Sequence, residues 1–146
     1  MEELIKAALR MRTFSYVPYS GFRVGAALLT RSGKIYTGCN IENASYTPTN
    51  CAERTAFFKA VSEGEREFSA IAIAGGAQGA AALDYCPPCG VCRQVMMEFC
   101  DAKAFQVILV KSETEYRVFT LEELFPMGFG PKELKKYQDR KSTRLN

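Results

Sequence analysis

Two short cysteine-containing runs, well separated in the sequence, place the strongest constraint on how this chain can fold. They are Cys51-Ala52-Glu53 and Pro88-Cys89-Gly90-Val91-Cys92. Each run stands where a helix is expected to begin. Three thiolates on one metal ion, with a carboxylate beside them, leave one coordination position for water, as in a catalytic zinc site. The fold therefore has to bring the starts of two helices together.

The chain of 146 residues contains six cysteines and no histidine. Cysteines in a chain without a secretory signal are more often metal-binding or catalytic than disulfide-bonded. The absence of histidine excludes histidine-based zinc sites, Ser-His-Asp triads and Cys-His nucleophile pairs. A metal would therefore be held by thiolates or carboxylates, and a general acid or base would be Glu, Asp, Lys, Tyr or Cys.

Charge and hydropathy limit the partners of the chain. The formal net charge is +3, with both signs interspersed, so we expect no nucleic-acid partner. No apolar stretch approaches the roughly 20 residues of a membrane helix, so we expect no membrane partner. The first residues, Met1-Glu2-Glu3, lack the basic flank and apolar core of a signal peptide, which predicts a cytoplasmic protein.

Hydrophobic periodicity and turn residues predict elements in the order α-β-β-α-β-α-β-β. They are a helix over 2–16, strands over 24–29 and 35–39, a helix over 51–63, a strand over 70–74, a helix over 90–100, and strands over 105–110 and 116–119. A helical turn over 121–125 and a last helix beginning at Pro131 follow. The glycine-rich stretch 75–79 is expected to be flexible and exposed.

Strands one, three and four are apolar with little alternation, so helices should cover both faces of the sheet. This pattern predicts an α/β fold, a three-layer α/β/α sandwich with a five-stranded mixed sheet. Helical crossovers join strand one or two to strand three, and strand three to strand four, so we expect these neighbours to run parallel. The short turn over 112–115 makes strand five antiparallel. We expect one domain over 1–138 and a polar, frayed tail over 139–146.

Several cysteines and Glu53 also have explanations without catalysis. Glu53 lies three residues after Asn50, which suits a helix N-cap, so its carboxylate fits a capping box. A fourth thiolate from Cys39 or Cys86 would close a structural four-cysteine zinc centre.

An all-thiolate zinc site needs positive charge nearby. Three thiolates leave Zn²⁺ with a formal charge of −1, which opposes deprotonation of a bound water. The positive ends of the two helices offset part of this charge. The guanidinium of Arg54 can also do so by donating to a ligand sulfur, and Arg93 is a second candidate.

The order Cys-x-Glu followed by Pro-Cys-x-x-Cys matches the zinc-dependent nucleobase deaminases. Over nearly its whole length the chain resembles the small homotetrameric cytidine deaminases. The matching stretches are Pro18–Ala27, Gly38–Tyr46, Cys51–Ala56, Pro88–Gln94, and Phe125-Pro126 through Phe129-Gly130-Pro131.

The resemblance implies one zinc ion per subunit on Cys51, Cys89 and Cys92. It implies that Glu53 is the proton shuttle between water, ring N3 and the departing ammonia, while zinc-bound hydroxide attacks C4 of the pyrimidine. Arg54 would support the ligand sulfur.

The resemblance also implies the substrate contacts. Asn40 and Glu42 would hold the ribose hydroxyls, the backbone N–H of Ala52 would face the ring carbonyl, and Phe22 would pack on the base. Phe129 would close the site of a neighbouring subunit, giving a homotetramer with shared sites, and Tyr46 would lie at the subunit interface. Without the resemblance, each residue has another explanation. Phe22 and Phe129 could be core residues, Asn40 could be a turn residue at a strand end, and Glu42 could be a solvated charge in a loop.

We therefore expect an enzyme of pyrimidine salvage that hydrolyses free cytidine and 2′-deoxycytidine to uridine and 2′-deoxyuridine plus ammonia. The short final hairpin favours a nucleoside substrate, because polynucleotide-acting relatives place a helix between the last strands. One alternative is a blasticidin-type or other aminopyrimidine nucleoside deaminase. An alternative of another class is a structural-zinc binding module without catalysis.

Overall fold

Five strands form the central sheet of the computed structural model, which describes residues 1–135. They are β1 (Phe22–Thr30), β2 (Ile35–Cys39), β3 (Phe68–Ala77), β4 (Gln106–Val110) and β5 (Tyr116–Thr120). Their order in the sheet is β2-β1-β3-β4-β5. The expected tail over 139–146 lies outside the described residues, and the domain boundary at 138 stays a prediction.

The helices are α1 (Glu2–Met11), α2 (Ala52–Ser62), α3 (Gly90–Phe99) and α4 (Leu121–Leu124), and 131–135 are also helical. The first helix is shorter than the predicted 2–16. A 3-10 turn, Arg12–Phe14, follows α1, and Ser15 is extended. The helix ends there because the backbone of Tyr16 bonds to the loop after β2, through Asn40 O and Glu42 N.

Helices cover both faces of the sheet, which confirms the predicted three-layer α/β/α sandwich with a five-stranded mixed sheet. On one face α1 packs against one set of strand residues, among them Ala27, Ala70, Ala72, Ala74, Ile108 and Val110. On the other face α2 and α3 pack against the alternate set, among them Ala26, Leu28, Ile71, Ile73, Val107 and Leu109. Both faces are apolar because both are buried.

One predicted neighbour relation is wrong. β3 runs parallel to β4, and β4 runs antiparallel to β5, as expected. However, β1 pairs with β3 in the antiparallel sense. The reason is that the crossover through α2 starts from β2 and passes over β1. β2 and β3 thus point the same way without pairing, and the longer β1 takes the inner place.

The prediction for the stretch 75–79 is wrong for its first two residues. Gly75 and Gly76 are buried and continue β3, whereas 77–79 are exposed. A following loop packs closely on both glycines: a Cβ at Gly75 would lie 2.7 Å from Cys86 Sγ, and one at Gly76 would lie 2.5 Å from Leu83 Cδ2. No helix within residues 1–135 is long and apolar enough to span a bilayer.

Candidate metal centre and active site

The start of α2 presents Cys51 and Glu53. The N-cap of α2 is Cys51, whose backbone is extended, and no side chain caps the helix. The expected cap, Asn50, instead donates from Nδ2 to Thr55 Oγ1 at 3.1 Å. The expected N-cap role of Asn50 is therefore wrong, and the alternative explanation of Glu53 as half of a capping box fails with it.

A close contact with β2 sets the position of this helix start. A Cβ at Gly38 would lie 2.3 Å from Ala52 O and 2.7 Å from Ala56 N. Only a residue without a side chain lets the backbone of α2 approach the strand so closely. Glycine at 38 thus fixes the depth at which the first turn of α2, with Glu53, sits on the sheet.

The start of α3 brings two more cysteines to the same place. Cys89 is the N-cap of α3, and Cys92 lies buried in its first turn. The sulfurs of Cys51, Cys89 and Cys92 all lie within 4.8 Å of one another, and Cys51 Sγ is 3.8 Å from Cys89 Sγ. The two cysteine runs therefore meet at two helix N-termini, whose positive ends favour thiolates.

Arg54 supplies the positive charge expected beside the sulfurs. Its Nη2 donates to Cys51 Sγ at 3.1 Å. The Cys92 thiol donates a hydrogen bond to Cys51, which with Arg54 lowers the pKa of Cys51 to about 5, although burial opposes this. Within residues 1–135, Arg54 Nε is buried without a partner, so it is free for another acceptor. Three sulfurs with a guanidinium directed at them fit a zinc ion.

Glu53 is the buried acid beside this centre. It is only 4% exposed. Burial raises the pKa of its carboxyl to about 7 from an ordinary 4.5, and the negative charge of Cys51 adds to the effect. A carboxyl that exchanges its proton near neutral pH suits general acid–base chemistry.

Neither candidate for a fourth ligand joins the three sulfurs. Within the described residues, the cluster contains Cys51, Cys89 and Cys92 but not Cys39 or Cys86. Cys39 is buried in β2, opposite Gly25 of β1. Cys86 Sγ packs instead on Gly75 of β3, where an added Cβ would lie 2.7 Å from it. The described donor set thus leaves a coordination position open.

Arg93 does not donate to a sulfur, so the suggestion of a second sulfur-directed arginine is wrong. Its Nε donates to Pro88 O at 2.8 Å, and its Nη1 donates to Leu124 O at 2.6 Å. The carbonyl of buried Pro88 needs a donor, and Arg93 is the residue that reaches it.

The predicted ribose contacts lie where the loop after β2 begins. Asn40 Oδ1 accepts from Val24 N at 2.9 Å, and its Nδ2 donates to Phe22 O at 2.8 Å. Glu42 accepts from the backbone N–H groups of Tyr19 and Ser20, and from Ser20 Oγ. These bonds, that from Ser20 Oγ foremost, lower the pKa of the Glu42 carboxyl.

Sequence reasoning missed the part played by Ser20 and Tyr19. The turn-forming run Pro18-Tyr19-Ser20-Gly21 was the available signal, since such turns leave backbone N–H groups unpaired. With Glu42, Tyr46 and Thr49 they line an open cavity of about 410 Å³. Glu42 is therefore held in place and is not a free loop charge.

Phe22 and Phe129 are both too exposed to be ordinary core. Phe22 is 41% exposed and shares the strand face of Val24 and Ala26, which is the face of the cysteines. Phe129 is 59% exposed and lies beside α3, where its carbonyl accepts from Gln94 Nε2. Ala52 is buried at the first position of α2, where helical N–H groups have no intrahelical partner.

Residues 1–108 match the family model described as cytidine and deoxycytidylate deaminase zinc-binding region. The chain is 47% identical over 134 residues to a cytidine deaminase of Sporosarcina psychrophila, covering 92% of this chain and 94% of that protein. It is 50% identical over 126 residues to one from Halalkalibacterium halodurans, covering 86% and 91%. A cytidine deaminase structure from Burkholderia pseudomallei superposes with a TM-score of 0.77 at 46% identity, covering 87% and 97%.

Proposed function

Since this chain belongs to the cytidine and deoxycytidylate deaminase family, we propose that it hydrolyses free cytidine and 2′-deoxycytidine to uridine and 2′-deoxyuridine plus ammonia. The observation that carries the proposal is the meeting of Cys51, Cys89 and Cys92 within 4.8 Å, with buried Glu53 in the same helical turn as Cys51. A structural zinc module would need a fourth ligand and would have no use for a buried acid.

The three cysteines would hold one zinc ion per subunit. Zinc bound there supplies Lewis-acid chemistry, which makes water a nucleophile near neutral pH. Arg54 and the N-termini of α2 and α3 offset the negative charge that three thiolates bring.

Glu53 would move the protons of the reaction. It accepts a proton from the attacking water and delivers it to ring N3, which makes C4 more electrophilic. It then carries the second proton of the same water to the amino group, which leaves as ammonia. A carboxyl already buried beside the sulfurs needs little rearrangement for these transfers.

The remaining predicted residues would orient the nucleoside. The free N–H of Ala52 faces the ring carbonyl. Phe22 packs on the base from the sheet face on which the three cysteines lie. Glu42, fixed by Ser20 and Tyr19, accepts hydrogen bonds from ribose hydroxyls. Asn40 uses its amide on the β1 backbone and offers its remaining donor and acceptor capacity to the ribose.

The active unit would be a homotetramer in which Phe129 of one subunit closes the site of another. Support comes from large side chains left uncovered in one chain, with Phe129 59% and Tyr46 72% exposed. We assign the enzyme to pyrimidine salvage in the cytoplasm. All six cysteines are free thiols, which suits a reducing compartment.

A nucleoside panel tests this function. Purified protein with its zinc content measured is given cytidine, 2′-deoxycytidine, the aminopyrimidine nucleoside blasticidin S and a short cytosine-containing oligonucleotide. We expect loss of the cytosine absorbance and release of ammonia with the first two only. Turnover of blasticidin S alone would favour the alternative nucleoside deaminase, and zinc binding without any turnover would favour a structural module.

A further inference from the structure

Two side chains that directly follow Cys92 in α3 hold backbone carbonyls of the segment after β5. Arg93 Nη1 donates to Leu124 O at 2.6 Å, and Gln94 Nε2 donates to Phe129 O at 2.8 Å. Successive residues of the helix that carries the candidate metal ligands thus fix both ends of the segment 124–129. Both contacts reach from a side chain of α3 to a backbone carbonyl that is distant in the sequence.

Arg93 also reaches back to the loop before α3. Its Nε donates to Pro88 O at 2.8 Å, and Pro88 immediately precedes Cys89. The planar guanidinium has its donors in fixed directions, so one rigid group joins the metal-ligand loop to the end of α4. The Arg93 side chain therefore helps to position both Cys89 and the C-terminal segment.

Gln94 acts on Phe129 alone. It donates a hydrogen bond to the Phe129 carbonyl. The next residue, Gly130, is buried against α3, and a Cβ there would lie 3.2 Å from Met97 Cε. The backbone at 129 and 130 is thus held against α3, while the Phe129 ring points outward and is 59% exposed. The Phe129 ring is therefore left exposed on a backbone that is fixed in position.

We propose that Arg93 and Gln94 are positioning residues that hold the segment 124–130 on α3 and so set where Phe129 meets the substrate. This rests on the proposed function, in which the Phe129 ring closes a nucleoside site of a neighbouring subunit. Arg93 acts on both the metal-ligand loop and the segment, whereas Gln94 acts on the segment only. The two residues therefore have different expected signatures.

Gln94→Ala tests the action on Phe129. We expect KM for cytidine to rise roughly fivefold to tenfold, with kcat within about twofold and zinc content unchanged, since one net hydrogen bond is lost. Gln94→Glu keeps the shape without the donor and should behave in the same way. Faster amide hydrogen exchange over 124–130 should accompany both changes.

Arg93→Met tests the action on both elements. We expect a rise in KM together with release of zinc to a chromogenic chelator roughly tenfold faster than from the wild type. The ammonium of Arg93→Lys can replace only one of the two diverging hydrogen bonds. Its KM and its rate of zinc release should therefore lie between those of the wild type and those of Arg93→Met. If Arg93→Met does not fold, Arg93→Lys and Gln94→Ala still decide the matter.

Arg66→Met is the matched control for Arg93. The Arg66 Nη1 group donates to Val61 O and Glu65 O, both at 2.8 Å, so it also bonds two carbonyls, but only in its own vicinity. Glu3→Ala removes an exposed side chain of α1, which packs on the opposite face of the sheet. Both controls should leave KM, zinc release and hydrogen exchange unchanged.

The inference is overturned if Gln94→Ala leaves KM and hydrogen exchange at the control values. It is also overturned if Arg93→Met releases zinc no faster than Arg66→Met. Failure of the proposed function would look different, because wild-type protein would then bind zinc without converting cytidine. In that case, zinc release and hydrogen exchange would still test whether Arg93 and Gln94 hold the segment in position.

Discussion

At the scale of single residues, Glu53 is the most unusual group in the described chain. It is only 4% exposed and caps no helix, and burying a carboxyl costs free energy, so such groups are frequent at functional sites. The motif spacing was sufficient to predict that Glu53 and three cysteines would meet. It could not show that Asn50 fails to cap α2, because the Asn50 backbone exchanges hydrogen bonds with Ile41, a contact distant in sequence.

Two cysteine substitutions distinguish a zinc ligand from a cysteine that does not bind zinc. Cys89→Ser removes one of the three clustered sulfurs, so we expect loss of zinc and of deamination. Cys86→Ser is the matched control in the same loop, and it should keep one zinc per chain because Cys86 lies outside the cluster. Metal analysis of both purified proteins checks this. A zinc-free Cys86→Ser protein would show that the assigned ligand set is incomplete.

At the scale of elements, the site depends on how closely α2 lies on β2. The apolar strands and the start of α3 at 90 were predictable from pattern, and the start of α2 was predicted one residue early, at 51. The antiparallel pairing of β1 with β3 was not, since a helical crossover can pass over one strand and local sequence does not say whether it does. Burial of Gly75 and Gly76 was also missed, because the residues that cover them follow later in the chain.

Gly38→Ala should displace the start of α2. The new methyl group would lie 2.3 Å from Ala52 O, and two backbones in contact cannot both relax. We expect a loss of about 2 kcal/mol in unfolding free energy, which is the usual cost of overpacking. Thermal unfolding should show a midpoint lower by roughly 4–8 °C, together with reduced activity.

Gly90→Ala is the control for this change. Position 90 is a helical residue with nothing within 4 Å of an added Cβ, so the substitution should be neutral or slightly stabilising. Equal unfolding midpoints for Gly38→Ala and Gly90→Ala would contradict the close contact between α2 and β2.

At the scale of the whole molecule, two aromatic rings predicted to contact substrate are exposed in a single chain. They are Phe22 in β1 and Phe129 in the segment after α4. Family membership and the zinc cofactor, both predicted from the sequence, are confirmed by the family match and the cysteine cluster. The tetramer and the individual substrate contacts stay predictions, because they depend on groups outside the chain.

Phe129→Ala should weaken nucleoside binding without dissociating the subunits. Loss of the ring that closes the neighbouring site removes apolar contact with the nucleoside worth about 1–3 kcal/mol, so KM should rise roughly tenfold with zinc content unchanged. Light scattering should show a tetramer for both proteins. A fully active monomeric wild type would contradict the shared site.

The proposed catalysis depends on Glu53 acting on substrate beside a zinc ion held by Cys51, Cys89 and Cys92. Glu53→Gln keeps the size of the side chain and removes its ability to accept and return protons. The decisive measurement is kcat for cytidine together with zinc per chain in this variant. We predict one zinc ion, an unchanged fold, and a fall in kcat of roughly 10³-fold or more. A zinc-loaded Glu53→Gln protein with wild-type kcat would contradict the account.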